Sequence, residues 1–138
     1  MKYFTIKELC NSATAKAKGI DNTPTTEVEA NLTALIENIL DPLRTAYGKP
    51  IRVSSGYRCP ALNSAVGGVK TSQHRNGQAA DITVDSRTEN MKLFKLIQSL
   101  NLPFCQLIFE KGNRKTGPDW VHVSYDASNV KRQILYLV

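Results

Sequence analysis

Gly48-Lys49-Pro50-Ile51-Arg52-Val53-Ser54 is the stretch at which the chain passes from helical to extended patterning, and it decides the fold class. Before it, Val28, Leu32, Leu35, Ile36, Ile39, Leu40 and Leu43 recur at spacings of three and four, which predicts one apolar stripe on a helix lasting to about Tyr47. Thr23-Pro24 reads as the N-cap and first residue of this helix, because proline has its φ already set and no N–H to leave unpaired. Pro42 removes one bond from the helical ladder and predicts a kink in the last turn, and Gly48 followed by Pro50 ends the helix. Ile51 to Ser54 then alternates apolar and polar side chains, the period of a half-buried strand.

On the N-terminal side, Tyr3 to Leu9 predicts a short helix with Thr5 as cap and Glu8 at capping-box spacing, followed by a polar loop from Lys18 to Thr23. On the C-terminal side, Pro60 to Val66 predicts a short helix closed by Gly67-Gly68, and a loop carries Ser72 to Gly77. Ala80 to Val84 is strand-like, and Thr88 to Leu100 is a helix with Met91, Phe94, Leu96 and Ile97 mostly inward. Gln106 to Phe109 and Trp120 to Tyr125 follow as strands, Asp126 to Asn129 as a turn, and Lys131 to Val138 as a closing strand. Strands and helices do not alternate regularly, and 138 residues suit one domain. The expectation is a single α+β domain over residues 1–138, with a small, largely antiparallel sheet flanked by helices.

Hydrophobic residues at 41% and charged residues at 22% exclude disordered and collagen-like chains. No apolar run approaches the roughly 18 residues of a membrane span, and Met1 to Cys10 has no signal-peptide core, so synthesis in the cytoplasm without a signal peptide is expected. The formal charge of +6 favours anionic polymers. The basic residues are scattered without aromatic interleaving, however, so nucleic acid is not an expected partner. Cys10, Cys59 and Cys105 are odd in number and not closely spaced, and read as free thiols. A monomer is expected.

The only two histidines, His74 and His122, lie among small, polar or turn-forming residues rather than in a helical stripe. Imidazole is the commonest neutral ligand for zinc, and a catalytic zinc needs about three protein ligands and one open position. Asp81 supplies a third ligand: on its strand Asp81 and Thr83 face one side while Ile82 and Val84 face the other. In the last motif His122 and Ser124 share one face, and Val121, Val123 and Tyr125 share the opposite one. Taken singly, each histidine is more often a hydrogen-bonded structural residue, and Asp81 a strand-end carboxylate.

Three segments carry a family resemblance: Ser55-Gly56-Tyr57-Arg58, Ser72-Gln73-His74-Arg75-Asn76-Gly77-Gln78-Ala79-Ala80-Asp81, and Asp119-Trp120-Val121-His122-Val123-Ser124. Over roughly residues 25–125 the chain resembles the zinc D-alanyl-D-alanine carboxypeptidases and L-alanyl-D-glutamate endopeptidases of peptidase family M15, many of them phage endolysins. The pattern Ser-x-His-x-x-Gly-x-Ala-x-Asp is its most specific part. The resemblance implies a hedgehog-like fold, zinc held by His74, Asp81 and His122, and hydrolysis of peptidoglycan stem peptides. It also implies Asp119 as the catalytic carboxylate, where many members have glutamate and some endolysin-like members aspartate, and Arg58 as the cation beside the developing oxyanion. Residues three apart on a strand point to opposite faces, so Asp119 can reach a metal held by His122 only if a turn at Gly117-Pro118 lifts it off the strand. Ser72 and Gln73 either bind polar groups of the peptide or shape the loop, and Tyr57 and Trp120 either line a groove or pack. Two other readings stay open: a zinc-containing binding module without turnover, and an assembly protein whose histidines merely pack.

Overall fold

The first turns of the helices are set by hydroxyl side chains that accept otherwise orphaned N–H groups. In the computed structural model, which describes residues 1–138, Thr5 accepts from Glu8 ahead of α1 (Ile6–Leu9), and Ser12 from Ala15 ahead of α2 (Ala13–Lys18). Thr25 does the same for Val28 ahead of α3 (Thr26–Leu35). The long helix therefore starts two residues later than Thr23-Pro24 predicts, because Thr23 directs both its N–H and its hydroxyl to Asp21.

The helix continues from α3 through a π-helical turn (Ile36–Leu40) into α4 (Asp41–Tyr47). Pro42 has no N–H to donate and its ring crowds the preceding turn. The π turn absorbs this by widening the ladder, with the Asp41 N–H bonding Ile36 O five residues back. Its stripe is fully buried at Leu32, Leu35, Ile36, Ile39, Leu40 and Leu43. The short helix α5 (Pro60–Ala65) forms as expected, and α6 spans Arg87–Ser99. In α6 the inward residues are Asn90, Leu93, Phe94 and Ile97, while Met91 and Leu96 sit at the flanks.

Five strands, β1 (Arg52–Ser55), β2 (Ala79–Thr83), β3 (Gln106–Glu110), β4 (Trp120–Ser124) and β5 (Gln133–Leu137), form one sheet in the order β1-β2-β4-β3-β5. All neighbours are antiparallel except β3 and β5, which run parallel. Strand alternation sorts the sheet into two faces. Ile82, Val121, Val123, Leu107 and Phe109 point into one core with α3, the π turn, α4 and α6. The other face carries Asp81 and Thr83 on β2, Trp120 and His122 on β4, and Ile108 and Glu110 on β3. The hydrophobic effect fixes this register, since a slip of one residue would exchange Ile82 and Val121 for Asp81 and His122 in the core. No helix is long and apolar enough to cross a membrane.

Candidate metal centre

Asp81 and His122 are direct Cα partners across the β2–β4 ladder, so sheet pairing alone brings their side chains together. His74 arrives from a 3-10 turn (Gln73–Asn76) that follows Ser72, whose Oγ accepts the His74 N–H at 3.2 Å. Gly77 closes that turn at φ +72, and a Cβ there would stand 2.9 Å from Val28 Cγ1, so glycine lets the turn seat against α3.

Gly56 sets the direction of the His74 ring. A Cβ on Gly56 would meet Leu9 O at 2.1 Å, and the adjacent Tyr57 N–H bonds the same oxygen at 2.7 Å. This close approach presents Gly56 O to His74 Nδ1 at 2.7 Å, which makes Nδ1 the protonated nitrogen and leaves the Nε2 lone pair free. His74 Nε2 then lies 3.4 Å from Asp81 Oδ1, and His122 Nδ1 lies 3.1 Å from the same oxygen. The two imidazoles meet edge to face at 5.2 Å.

His74 Nε2, Asp81 Oδ1 and His122 Nδ1 offer two nitrogens and one oxygen, with ligand atoms of the three residues all within 4.8 Å of one another. An unprotonated Nε2 facing a carboxylate oxygen is repulsive unless a proton or a cation sits between them. His74 and its partner Asp81 are both well shielded from water, which sharpens that requirement. The donor set suits a divalent metal with mixed nitrogen and oxygen preference. Burial alone would raise the Asp81 pKa, but hydrogen bonds from His122 and His74 and their charge hold it below the ordinary carboxylate range. With Nδ1 of His122 facing the centre, its Nε2 is buried and has no partner.

Arg58 joins the centre through its backbone, its N–H donating to His74 O at 3.0 Å, and through Nη2 at 3.3 Å from Ser72 Oγ. Its Nε is buried without a partner. Burial lowers the Arg58 pKa, and the nearby charge of Asp81 acts in the opposite sense. Ser72 thus braces both His74 and Arg58, while Gln73 Nε2 reaches the Cys105 Sγ at 3.6 Å. Tyr57 is buried in the core, and Cys10, Cys59 and Cys105 are free thiols.

Asp119 lies off the strand, just before β4, with its N–H on Glu110 O at 2.9 Å. Its carboxylate accepts from Arg87 Nε at 2.8 Å, in an ion pair that is about half exposed. Asp119 and Arg87 border a cavity of ≈ 380 Å³ whose lining includes Thr83 and Trp120. These two residues follow Asp81 and precede His122 by two positions on the same face, so the cavity lies further along the sheet from His74, Asp81 and His122, none of which lines it. The Asp119 carboxylate is therefore engaged by Arg87 at the cavity wall.

Glu110 is a carboxylate that the sequence reading passed over. It is the Cα partner of Trp120 and shares a face with His122, whose own partner is Ile108. Glu110 is half-buried, and burial raises its pKa; the negative charge of Asp81 adds to this, and His122, Trp120 and Lys111 oppose it. Trp120 Nε1 is buried and lacks a partner in its present geometry.

A family model described as peptidase M15 matches residues 2–124, nearly the whole chain. None of the curated proteins compared with it matches.

Proposed function

The chain belongs to the peptidase M15 family, and from that footing we propose that it is a zinc peptidase acting on the stem peptides of bacterial peptidoglycan. The observation that carries the reading is the convergence of His74 Nε2, Asp81 Oδ1 and His122 Nδ1 on one face of the sheet. These three residues would hold the metal, with Gly56 O fixing the His74 tautomer. Bound zinc would acidify a water and polarise the scissile carbonyl, which is the chemistry amide hydrolysis needs.

The chain's own residues supply the rest. Arg58 would stand by the carbonyl oxygen as charge develops, with its unpartnered Nε as a spare donor. Ser72 holds Arg58 and His74 in one frame, so its part in substrate binding would be indirect, and Gln73, whose Nε2 reaches Cys105 Sγ, would meet polar groups of the peptide only by leaving that contact. Asp119 is the carboxylate that the family resemblance puts forward for proton transfer, and to accept a proton it would first have to release Arg87. The net charge of +6 would favour an anionic wall, more so at low salt.

The bound state of Asp119 also favours a second reading: a zinc-containing wall-binding or protein-binding module without turnover. Zinc content and digestion of purified peptidoglycan decide between them, with products identified by mass spectrometry. One zinc per chain with new stem-peptide ends supports the peptidase. One zinc with no cleavage of any wall type supports the module, and no zinc at all overturns both.

A further inference from the structure

We propose that Glu110 is a catalytic residue of this centre, the carboxylate that takes a proton from the attacking water and passes it to the leaving amine. This rests on the zinc-peptidase reading and names a residue that neither the sequence motifs nor the family resemblance assigns. The case for it is geometric. Across β4, Asp81 is the partner of His122 on one side and Ile108 on the other, so the metal row runs β2, β4, β3 at that level. Glu110 stands two residues further along β3 on the same face, the diagonal neighbour of His122 at about 7–8 Å between backbones, a separation that long side chains can bridge. A residue on the metal-facing side needs no turn or rearrangement to approach the centre.

Asp119 differs in both respects. It lies three residues before His122, and its carboxylate is held by Arg87 at the start of α6. Glu110 has no ion-pair partner among the cations of the chain. Its half-buried carboxyl lies on the face that carries His122, and burial together with the charge of Asp81 raises its pKa, which suits a group that must accept a proton and then give it back. The buried, unpartnered Nε1 of Trp120, its ladder neighbour, is a donor that can hold the carboxylate once it is ionised.

The step balances within the chain and its substrate. One O–H bond of water breaks, the proton moves to a Glu110 oxygen, and the freed pair forms a C–O bond at the scissile carbonyl while the C=O π pair moves onto oxygen. When the carbonyl re-forms, the C–N bond breaks, and Glu110 returns the proton to nitrogen, giving a new carboxyl group and an amine.

The test compares wild type, Glu110→Gln, Glu110→Asp and Asp119→Asn, each loaded with zinc or with cobalt(II). Glu110→Gln is expected to keep one zinc with affinity within about threefold and to lose roughly 10²- to 10⁴-fold in stem-peptide hydrolysis. The midpoint of the pH-dependent change in its cobalt absorption spectrum should move, and Glu110→Asp should recover part of the turnover. The inference is overturned if Glu110→Gln cleaves within threefold of wild type. It is also overturned if Glu110→Gln loses the metal or its fold, since Glu110 then only supports His122. If the combination of retained zinc, lost turnover and shifted cobalt spectrum appears in Asp119→Asn instead, Asp119 is the proton carrier and Glu110 is not. A wild type that takes up no zinc, or takes it up and cuts nothing, defeats the peptidase reading itself and is recognised before any variant is compared.

Discussion

Replacing Gly56 with alanine should damage the fold and the metal centre through one displaced carbonyl. The new Cβ would stand 2.1 Å from Leu9 O, whereas an ordinary carbon-to-carbonyl contact is about 3.3 Å or more, so the two segments must part by more than about 1 Å. The Tyr57 N–H to Leu9 O bond, now 2.7 Å, does not survive that separation, at a cost of about 1 kcal/mol. Overpacking at a site walled by backbone, which cannot rotate away, adds about 1–3 kcal/mol. The sum of about 2–4 kcal/mol corresponds to a Tm lower by about 8–16 °C for a domain of this size.

The same displacement moves Gly56 O, the acceptor that holds His74 Nδ1 at 2.7 Å. Loss of an orienting partner of a metal-bound histidine weakens binding about 10- to 100-fold. Urea denaturation of the metal-free protein reads the first effect, and competition with a chromophoric chelator reads the second. A Gly56→Ala protein within about 0.5 kcal/mol of wild type that also binds zinc with unchanged affinity would refute the reasoning. A stability loss with intact metal affinity would show that Gly56 O does not direct the ring.

Removing zinc with a chelator should destabilise wild type by about 2.7 kcal/mol where free zinc had been at 100 times its Kd, seen as a lower Tm, and should leave His74→Ala and His122→Ala unmoved; scanning calorimetry with and without chelator checks this. Asn90→Ala should cost about 3–5 kcal/mol by urea midpoint, because Asn90 is buried, accepts from Val84 N–H at 2.8 Å and donates to Asp119 O and Pro118 O at 2.9 and 3.1 Å; a loss below about 1 kcal/mol contradicts it. Glu89 is held by Lys92, Tyr47 and Lys49, and these hydrogen bonds bring its pKa down to about 2. A lowered folded pKa means its contribution is complete above the ordinary value near 4.5 and fades as pH falls towards 2, so Glu89→Gln should flatten the decline in Tm across that window and not above it.

The elements that the sequence made legible are those whose own periodicity carries the information. The stripe from Val28 to Leu43 is buried as its spacing requires, and β2 and β4 alternate as their residue types dictate. What escaped was set by competition or by distant partners. α2 has six residues of alanine, threonine and lysine with only Ala15 buried, so no apolar stripe announces it, and its one local signal is the cap Ser12. The start of α3 was misjudged because Thr23, a sound cap in isolation, is claimed by Asp21. Pro42, expected to kink the last turn, is met instead by a π turn just before it that no sequence pattern announces. Lys131 to Val138 reads as a closing strand, but its parallel pairing with β3 joins residues 27 apart, such as Gln106 and Gln133, which no local pattern encodes.

At the centre the same distinction separates the candidate ligands from the proposed proton carrier. Asp81 and His122 could be assigned to a pocket face because each is the polar residue in a strand whose neighbours are aliphatic, and the ladder then makes them partners. Glu110 gives no such signal. Its strand runs Gln106, Leu107, Ile108, Phe109, Glu110, and Ile108 on the polar face breaks the alternation that would have marked Glu110 as facing the site. Ile108 is apolar there because it packs directly beside His122, on the side of the metal row away from Asp81, where excluding water keeps the imidazole nitrogen from competing hydrogen bonds. The residue that hides the pattern is thus part of what makes the centre dry. Polarity returns only at Glu110, two residues further along the same face of the strand, where we place the proton carrier.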